Sequence, residues 1–494
     1  MSNEIVFDTQ YDVVVVGSGG SGKSTAYTAA KEGGLSVAIL EKMPETGGTS
    51  IFAEGQAAFE SSEQIARGVP KEEGRHFPTK EEGFRRFMDY SHYRANPDVV
   101  RMFVNNAAET IDVFKSLGVV YTDVLAYAMN QPDELISFHR PEGLGAYCQE
   151  VLLKAIQNLD VDIFTSTRAE RLLVKDGAVV GVVTVDSDGN TLNVGAKAVV
   201  LATGGFGNSI ELLEKHSLLG ANARFESPPV PTQNSGDGLN MALAVGAATY
   251  NLGVAQVGYT GRGKFASSQS GAAGLQPWLW VNRHAQRFTS EELGYSFANC
   301  GMTLARQPRT DSFSILDEDM LSYLEKEGSM IALGDFVPYK SKLTGLRDEL
   351  ELDLAKGETA WSGNTLEELA AAIGIDPQVF TATVARYNQF CADGCDPDFY
   401  KPANLLRPVR KAPFYAVNIC AAVLITCSSL RVNGNLQVTD DTYKPIPGLY
   451  AVGNEASGLY GDAYALDVPG ATNGFAHTSG RVAARYIIAN VRKE

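Results

Sequence analysis

Short valine-rich runs that end directly in glycine recur along this chain, and they set the elements it is expected to form. Tyr11 to Val16 is such a run, followed at once by Gly17-Ser-Gly-Gly-Ser-Gly22; its composition is that of a buried parallel strand. Good helix formers then extend from Lys23 to Glu32, Gly33-Gly34 breaks them, and Ser36 to Leu40 predicts a second strand ending at Glu41. Strand, glycine loop, helix and strand make one βαβ unit. Farther on, Val199-Val-Leu-Ala-Thr-Gly204-Gly205 and Gly448-Leu-Tyr-Ala-Val-Gly453-Asn454 repeat the strand-into-glycine pattern, and Ser235-Gly-Asp237-Gly238 predicts a helix start. Apolar residues at helical spacing (Leu366, Leu369, Ile373, Phe380, Val384, Tyr387) mark Thr365 to Asp393 as a helical stretch with one buried face. A last apolar helix is expected to begin at Pro469-Gly470-Ala471-Thr472-Asn473-Gly474 and to run to about Ile488.

Composition excludes several classes of function. A chain of 494 residues is too long for one ordinary domain, and two are expected. The net charge of −16 comes without a long block of one sign, so nucleic acid is not an expected partner. Its longest apolar stretches, such as Val13 to Val16 or Ala198 to Ala202, fall far short of the roughly 20 residues that span a bilayer. The first residues carry no basic-then-apolar leader, which makes a cytoplasmic location the expectation. Six cysteines (Cys148, Cys300, Cys391, Cys395, Cys420, Cys427) make neither a disulfide framework nor a zinc set and are expected as free thiols. No spacing among the six histidines suggests a metal; His216, His284 and His477 are expected at ordinary surface or core positions, with His139 set apart.

The first glycine loop suits a dinucleotide. Gly17 permits a tight turn, Gly19 close approach to a pyrophosphate, and Gly22 packing of helix on strand, while the helix N-terminus offers N–H groups to phosphate. Glu41, nineteen residues past Gly22, stands where an acid bonds an adenosine ribose. Gly17-x-x-x-x-Gly22-Lys23-Ser24 also satisfies the nucleotide-triphosphate P-loop pattern, in which the lysine holds β and γ phosphates. A P-loop gives no reason for Glu41 or for the distal glycine segments.

Together these segments, with Gly47-Gly48-Thr49-Ser50, resemble the fumarate reductase and succinate dehydrogenase flavoproteins and their 3-ketosteroid dehydrogenase relatives, over nearly the whole chain. The resemblance implies an α/β fold: a glutathione-reductase-like Rossmann FAD domain (1–252 plus 413–494) with an inserted α+β cap, or substrate, domain (253–412). It implies non-covalent FAD, no histidine or cysteine standing in a setting for covalent attachment. Gly17, Gly19, Gly20 and Gly22 would hold the pyrophosphate, Glu41 with Lys42 the ribose end, and Gly48, Thr49 and Ser50 the linker to the ring. Ala202, Thr203 and Gly204 would line the cofactor, with Asp237, Gly453 and Asn454 along the ribityl chain. The helix head at Gly470, Ala471 and Thr472 would face the flavin pyrimidine and stabilise charge there.

On the substrate side the chain departs from the fumarate enzymes. In Arg287-Phe-Thr-Ser-Glu291-Glu-Leu-Gly-Tyr295 the family's stretch is intact, but Tyr295 stands in place of the proton-donating arginine; Tyr464 replaces a carboxylate-clamping arginine, and Leu424 or Ile425 a histidine. Tyrosines there, with a Pro-Gly ahead of the last helix, resemble the ketosteroid branch. Tyr464 and the Gly470 N–H would then bind a ketone oxygen and Tyr295 would handle the α-carbon proton, Tyr127 assisting, while hydride passes between the β carbon and flavin N5. Both tyrosines also suit plain packing at a cap interface. The loop after Tyr464 is two residues longer than in that branch, which puts Asp467 within reach of the site. Three readings follow: a flavin enzyme acting on a C=C or CH–CH bond beside a ketone, with a 3-ketosteroid or similar small apolar enone; a reductase of unsaturated carboxylates; and a P-loop nucleotide-binding protein. No haem, iron–sulfur or NAD module is visible, so the electron donor or acceptor must be external.

Overall fold

Registered strand pairing explains why glycine loops hundreds of residues apart meet. The computed structural model describes residues 5–71, 74–126, 134–217, 219–220, 233–261, 268–331, 337–465 and 467–491. Its largest sheet is built on the parallel strands β1 (Thr9–Val16), β2 (Val37–Leu40), β6 (Val161–Phe164), β9 (Thr191–Leu201) and β16 (Pro445–Ala451) in the order β16-β9-β1-β2-β6. β15 (Gln437–Thr439) adds antiparallel to β16, and the hairpin β7 (Arg168–Lys175) and β8 (Ala178–Val185) joins along β9. Val16 pairs with both Leu40 and Leu201, and Leu201 with Ala451. Four strands therefore end in line, and the loops after them open on one edge, where ligands of doubly wound sheets bind. Val13, Val14, Val15, Val37, Ile39, Val199 and Val200 are fully buried, as strands covered on both faces require.

The first helix (Gly20–Gly33) and the last (Ala471–Val491) pack together on this sheet, with Gly480 against the Ser21 carbonyl: a Cβ there would lie 2.3 Å from that oxygen. A second sheet contains β10 (Ala255–Gly261), β11 (Leu279–Val281), β12 (Asp311–Leu316), β13 (Ala360–Gly363) and the thirteen-residue β14 (Phe414–Thr426), ordered β10-β14-β12-β11 with β13 also on β14. A third, small sheet joins β3 (Gln56–Ala57), β5 (Phe138–Pro141) and β4 (Tyr121–Leu125). Two apolar cores result. One lies under the parallel sheet, and the other, from Ala272 to Val417, is built on the second sheet and the helices covering it. β14 serves both, Phe414 to Val417 in one core and Ile419 to Ile425 in the other. A division into 1–252 plus 413–494 and 253–412 is proposed on this basis, with β14 the strand shared between the halves.

The helical stretch expected from Thr365 to Asp393 is two helices, Leu366–Ile373 and Pro377–Asp393. Gly374, in the left-handed conformation, caps the first, and Asp376 caps the second ahead of Pro377. No helix among the described residues is long and apolar enough to cross a membrane. All six cysteines are free thiols.

Candidate active site

The aligned strand ends enclose a cavity of about 220 Å³. Its lining includes Gly17, Gly19, Gly20, Glu41, Lys42, Gly48, Thr49, Ser50, Ala202, Thr203, Gly204, Asp237 and Asn454, from six separate stretches of sequence. Gly17 sits at φ +107°, where a Cβ would lie 2.4 Å from the Ala202 carbonyl oxygen; a Cβ on Gly22 would lie 2.0 Å from the Gly17 oxygen. Only glycine allows the loop to fold this tightly onto the helix. Gly19 caps that helix without a side-chain bond, and Gly19, Gly20 and Ser21 line the cavity, which puts the helix head where a phosphate would bind.

Glu41 is held before any ribose arrives. One carboxylate oxygen accepts from the Ser18 N–H (2.9 Å) and hydroxyl (2.6 Å), and the other from the Met43 N–H (2.9 Å). The Ser50 hydroxyl accepts from the Gly20 N–H at 3.2 Å, and Thr49 accepts from Asn234 at 3.1 Å, which ties the linker segment to the loop and to the 233–235 strap. Asp237 accepts from Lys42 (2.8 Å) and Arg168 (3.0 Å), and these cations hold its carboxyl below the usual range against the opposing effect of burial. Glycine-backed loop, open helix head and strand-end acid together fit a dinucleotide such as FAD. They do not fit a P-loop: Lys23 is 1% exposed and turns inward, its ammonium 3.4 Å from the Gln149 carbonyl.

Sequence reasoning missed Asn234, Arg168 and Glu455. The first two follow segments without a glycine signal. Glu455, fully buried next to Asn454, accepts from the Thr203 hydroxyl, the Gly205 N–H (3.1 Å) and the Ser429 hydroxyl (2.5 Å), so it fixes the turn that follows β9. Burial pushes its carboxyl up, offset in part by these donors. An acid directly after the strand-end Gly453-Asn454 was the available signal.

Gly22, Gly453, Gly470, Ala471 and Thr472 lie outside the lining of this cavity. Gly470, at φ +79°, accepts from the Ala57 N–H and from Gly474 N–H, both at 2.9 Å, and Asn473 donates to the Gly55 carbonyl at 3.1 Å. β3 thus fixes the head of the last helix. Tyr464, 5% exposed, lies there: its phenol is hydrogen-bonded by the Thr472 backbone and side chain and by Tyr460. The Tyr460 and Tyr464 rings are 5.2 Å apart and tilted by 44°, and the Tyr460 hydroxyl is 2.9 Å from that of Thr472. Burial pushes both phenols up, so both keep their protons at neutral pH. Replacing Tyr460 by phenylalanine is expected to cost about 1 kcal/mol, one buried hydrogen bond, in denaturant unfolding; an unchanged midpoint would mean the bond to Thr472 does not form.

Asp467 does not join the phenols. Its carboxylate pairs with Arg86 at 2.9 Å and its carbonyl accepts from Leu135 N–H, so the longer loop is anchored outward; Asp462 likewise pairs with Arg94. Tyr295 ends a short helical turn (Glu291–Tyr295) whose Leu293 packs against the first core, and is half-buried, with Tyr339, Tyr323 and Glu292 as its titratable neighbours. Burial, then these neighbours, push its phenol up to about 12. Tyr127 lies outside the described residues.

The stretch shared with the fumarate enzymes is an ion network. Arg287 donates to Glu291 (2.9 and 2.8 Å) and to Asp396 (3.2 and 2.8 Å) between the rings of Tyr387 and Phe399, and the buried Lys401 lies 3.2 Å from Glu291. His139 and His477 are both fully buried and kept neutral, burial pushing them down to about 4 and about 3. His139 is bonded to Ser61 (2.6 Å) and to the Ser137 carbonyl (2.9 Å), a structural setting. No cluster of metal ligands is found among the described residues.

The family described as FAD binding domain matches residues 12–467. The chain is 35% identical over 488 residues to the vinyl phenol reductase of Lactiplantibacillus plantarum, covering 96% of each. Among solved structures, the open conformation of a flavocytochrome c3 fumarate reductase is similar with a TM-score of 0.73 at 25% identity, over 97% of this chain and 79% of the other. The 3-ketosteroid delta1-dehydrogenase of Sterolibacterium denitrificans gives 0.74 at 21% identity, over 97% and 100%, a likeness of fold.

Proposed function

The chain belongs to the FAD binding domain family of the fumarate reductases, an FAD-dependent oxidoreductase family acting on carbon–carbon double bonds, and from that premise we propose that it reduces an alkene conjugated to a ring-borne oxygen, with vinyl phenols as the substrate class. The observation that carries this reading is the phenol pair Tyr460–Tyr464 at the head of the last helix, where a carboxylate clamp would need cations. Two cations that reach the loop around this pair from far along the chain, Arg86 and Arg94, are paired with Asp467 and Asp462. Likeness over the full length to a vinyl phenol reductase supports the substrate class.

Gly17, Gly19, Glu41, Thr49 and Asn454 would hold FAD in the cavity, and its flavin would supply hydride to carbon. The protein's residues do the rest. Tyr464, kept protonated by burial, donates to the substrate's ring oxygen beside Gly470: once the outer carbon of a vinylphenolate is protonated the ring is a quinone methide, and negative charge returns to that oxygen as hydride reaches the inner carbon, a charge that the positive end of the last helix favours. Tyr295 gives a proton to the other carbon of the double bond. A phenol held near pKa 12 is protonated at neutral pH, which suits the acid of a reduction better than the base of a dehydrogenation. An external two-electron donor must restore the flavin.

A 3-ketosteroid or similar enone is the second reading, since a ketone oxygen suits the Tyr464–Gly470 position equally. A panel decides. Under anaerobic conditions with reduced viologen, 4-vinylphenol is expected to turn over well ahead of fumarate, urocanate and cinnamates, and ahead of 3-ketosteroids assayed with a dye acceptor. Fast fumarate reduction would sink both readings; ketosteroid turnover alone would sink the first.

A further inference from the structure

The Gly22-Lys23-Ser24 match to a P-loop has no role in the reading above, yet its lysine is among the largest fully buried side chains of the protein. We propose that Lys23 holds the cofactor's diphosphate by charge from behind the glycine loop, through the protein rather than by contact.

Lys23 is the fourth residue of the first helix, so it lies about 5 Å along the axis from the helix head where a diphosphate binds. Its ammonium reaches the Gln149 carbonyl at 3.4 Å, and among the described residues no carboxylate lies within ion-pair distance of it. The groups that face it come from three elements. From the last helix, His477 is neutral, fixed by the Ser24 hydroxyl at 2.8 Å, and Arg481 is turned to Glu109 at 3.3 Å. From the helix Leu144–Ile156, Gln149 is uncharged; from the end of β2, Glu41 attracts the ammonium at longer range and is itself occupied by Ser18 and Met43. A buried ammonium without an adjacent anion is costly. In this proposal the two negative charges of a diphosphate at the helix head supply the compensation.

Two opposite pH dependences follow. Burial brings the ammonium down from an ordinary lysine's 10.5 to about 8. In the flavin-free protein the folded state therefore holds fewer protons than the unfolded one between those values, and this group adds stability as pH rises through that window. FAD favours the charged form, so its affinity falls as pH rises above about 8. The fall is about ten-fold for each unit by which the bound diphosphate raises the lysine.

The test reads the FAD dissociation constant from the fluorescence of flavin released on diluting holoenzyme, between pH 7 and 9.5. Wild type is expected to lose about ten-fold in affinity across that range. Lys23→Met is expected to bind about ten-fold more weakly at pH 7 and to show little further loss, while its flavin-free form unfolds at no lower denaturant concentration than wild type. If Lys23→Met does not fold, Lys23→Gln takes its place, and the wild-type titration stands without any variant. A wild-type affinity flat from pH 7 to 9.5, or a variant that binds FAD as tightly as wild type at pH 7, overturns the proposal; a variant that keeps the wild-type slope assigns that slope to another group and overturns it equally.

Discussion

Tyr464→Phe is expected to lower turnover by roughly 10²- to 10³-fold, the cost of removing one preorganised donor to a developing oxyanion, with the flavin spectrum unchanged. The side chain is 5% exposed and packed on Tyr460, so phenylalanine keeps the shape and removes only the hydroxyl. The Thr472 backbone bonds that oxygen, and in the proposed reaction the phenol's own proton goes to the substrate oxygen. Loss should therefore fall on kcat more than on KM, since the interaction strengthens as charge reaches the substrate oxygen. Tyr295→Phe should cost roughly 10²- to 10⁴-fold by removing the proton donor. Turnover of Tyr464→Phe within two-fold of wild type would remove it from the chemistry and leave it as packing between the last helix and β3.

The largest stability effect is expected at Arg287. Its side chain is 5% exposed, and the carboxylates of Glu291 and Asp396 that it bridges are fully buried. Replacing it with methionine leaves two buried acids against the one ammonium of Lys401, and should cost about 3–5 kcal/mol in chemical denaturation. Adding Asp396→Asn to that variant should recover part of the loss, because it removes one of the orphaned charges. Activity should fall as well. Glu291 begins the short turn that ends at Tyr295, so loosening the network releases the proposed proton donor without touching the cavity. A loss below about 1 kcal/mol would mean that water reaches the network and that the pairs are worth no more than surface ones.

The βαβ unit, the strand into Gly204 and the strand into Gly453 were legible in the sequence, because a parallel strand buried on both faces must be apolar throughout and a close turn must be glycine. The same local rules named Glu41 and the helix heads at Gly20 and Gly470. A stretch such as Thr365 to Asp393 carried helical spacing throughout; its break at Gly374 was written in residues whose capping chemistry the periodicity outweighed. Asn234 and Arg168 were not legible, since polar side chains on connecting segments carry no period.

What the residues alone determined is the cofactor's cradle, for its chemistry rests on backbone shape within a few residues of each glycine. Tertiary structure alone decided where the charges go. The same Gly-Lys-Ser could have met a phosphate, and packing of the first helix against the last turned Lys23 inward to Gln149 instead. Asp467 could have entered the site through its longer loop, and Arg86, from a helix more than 370 residues earlier, drew it away. A charge's role depends on what neutralises it, and the neutralising partner lies across the fold rather than along the chain.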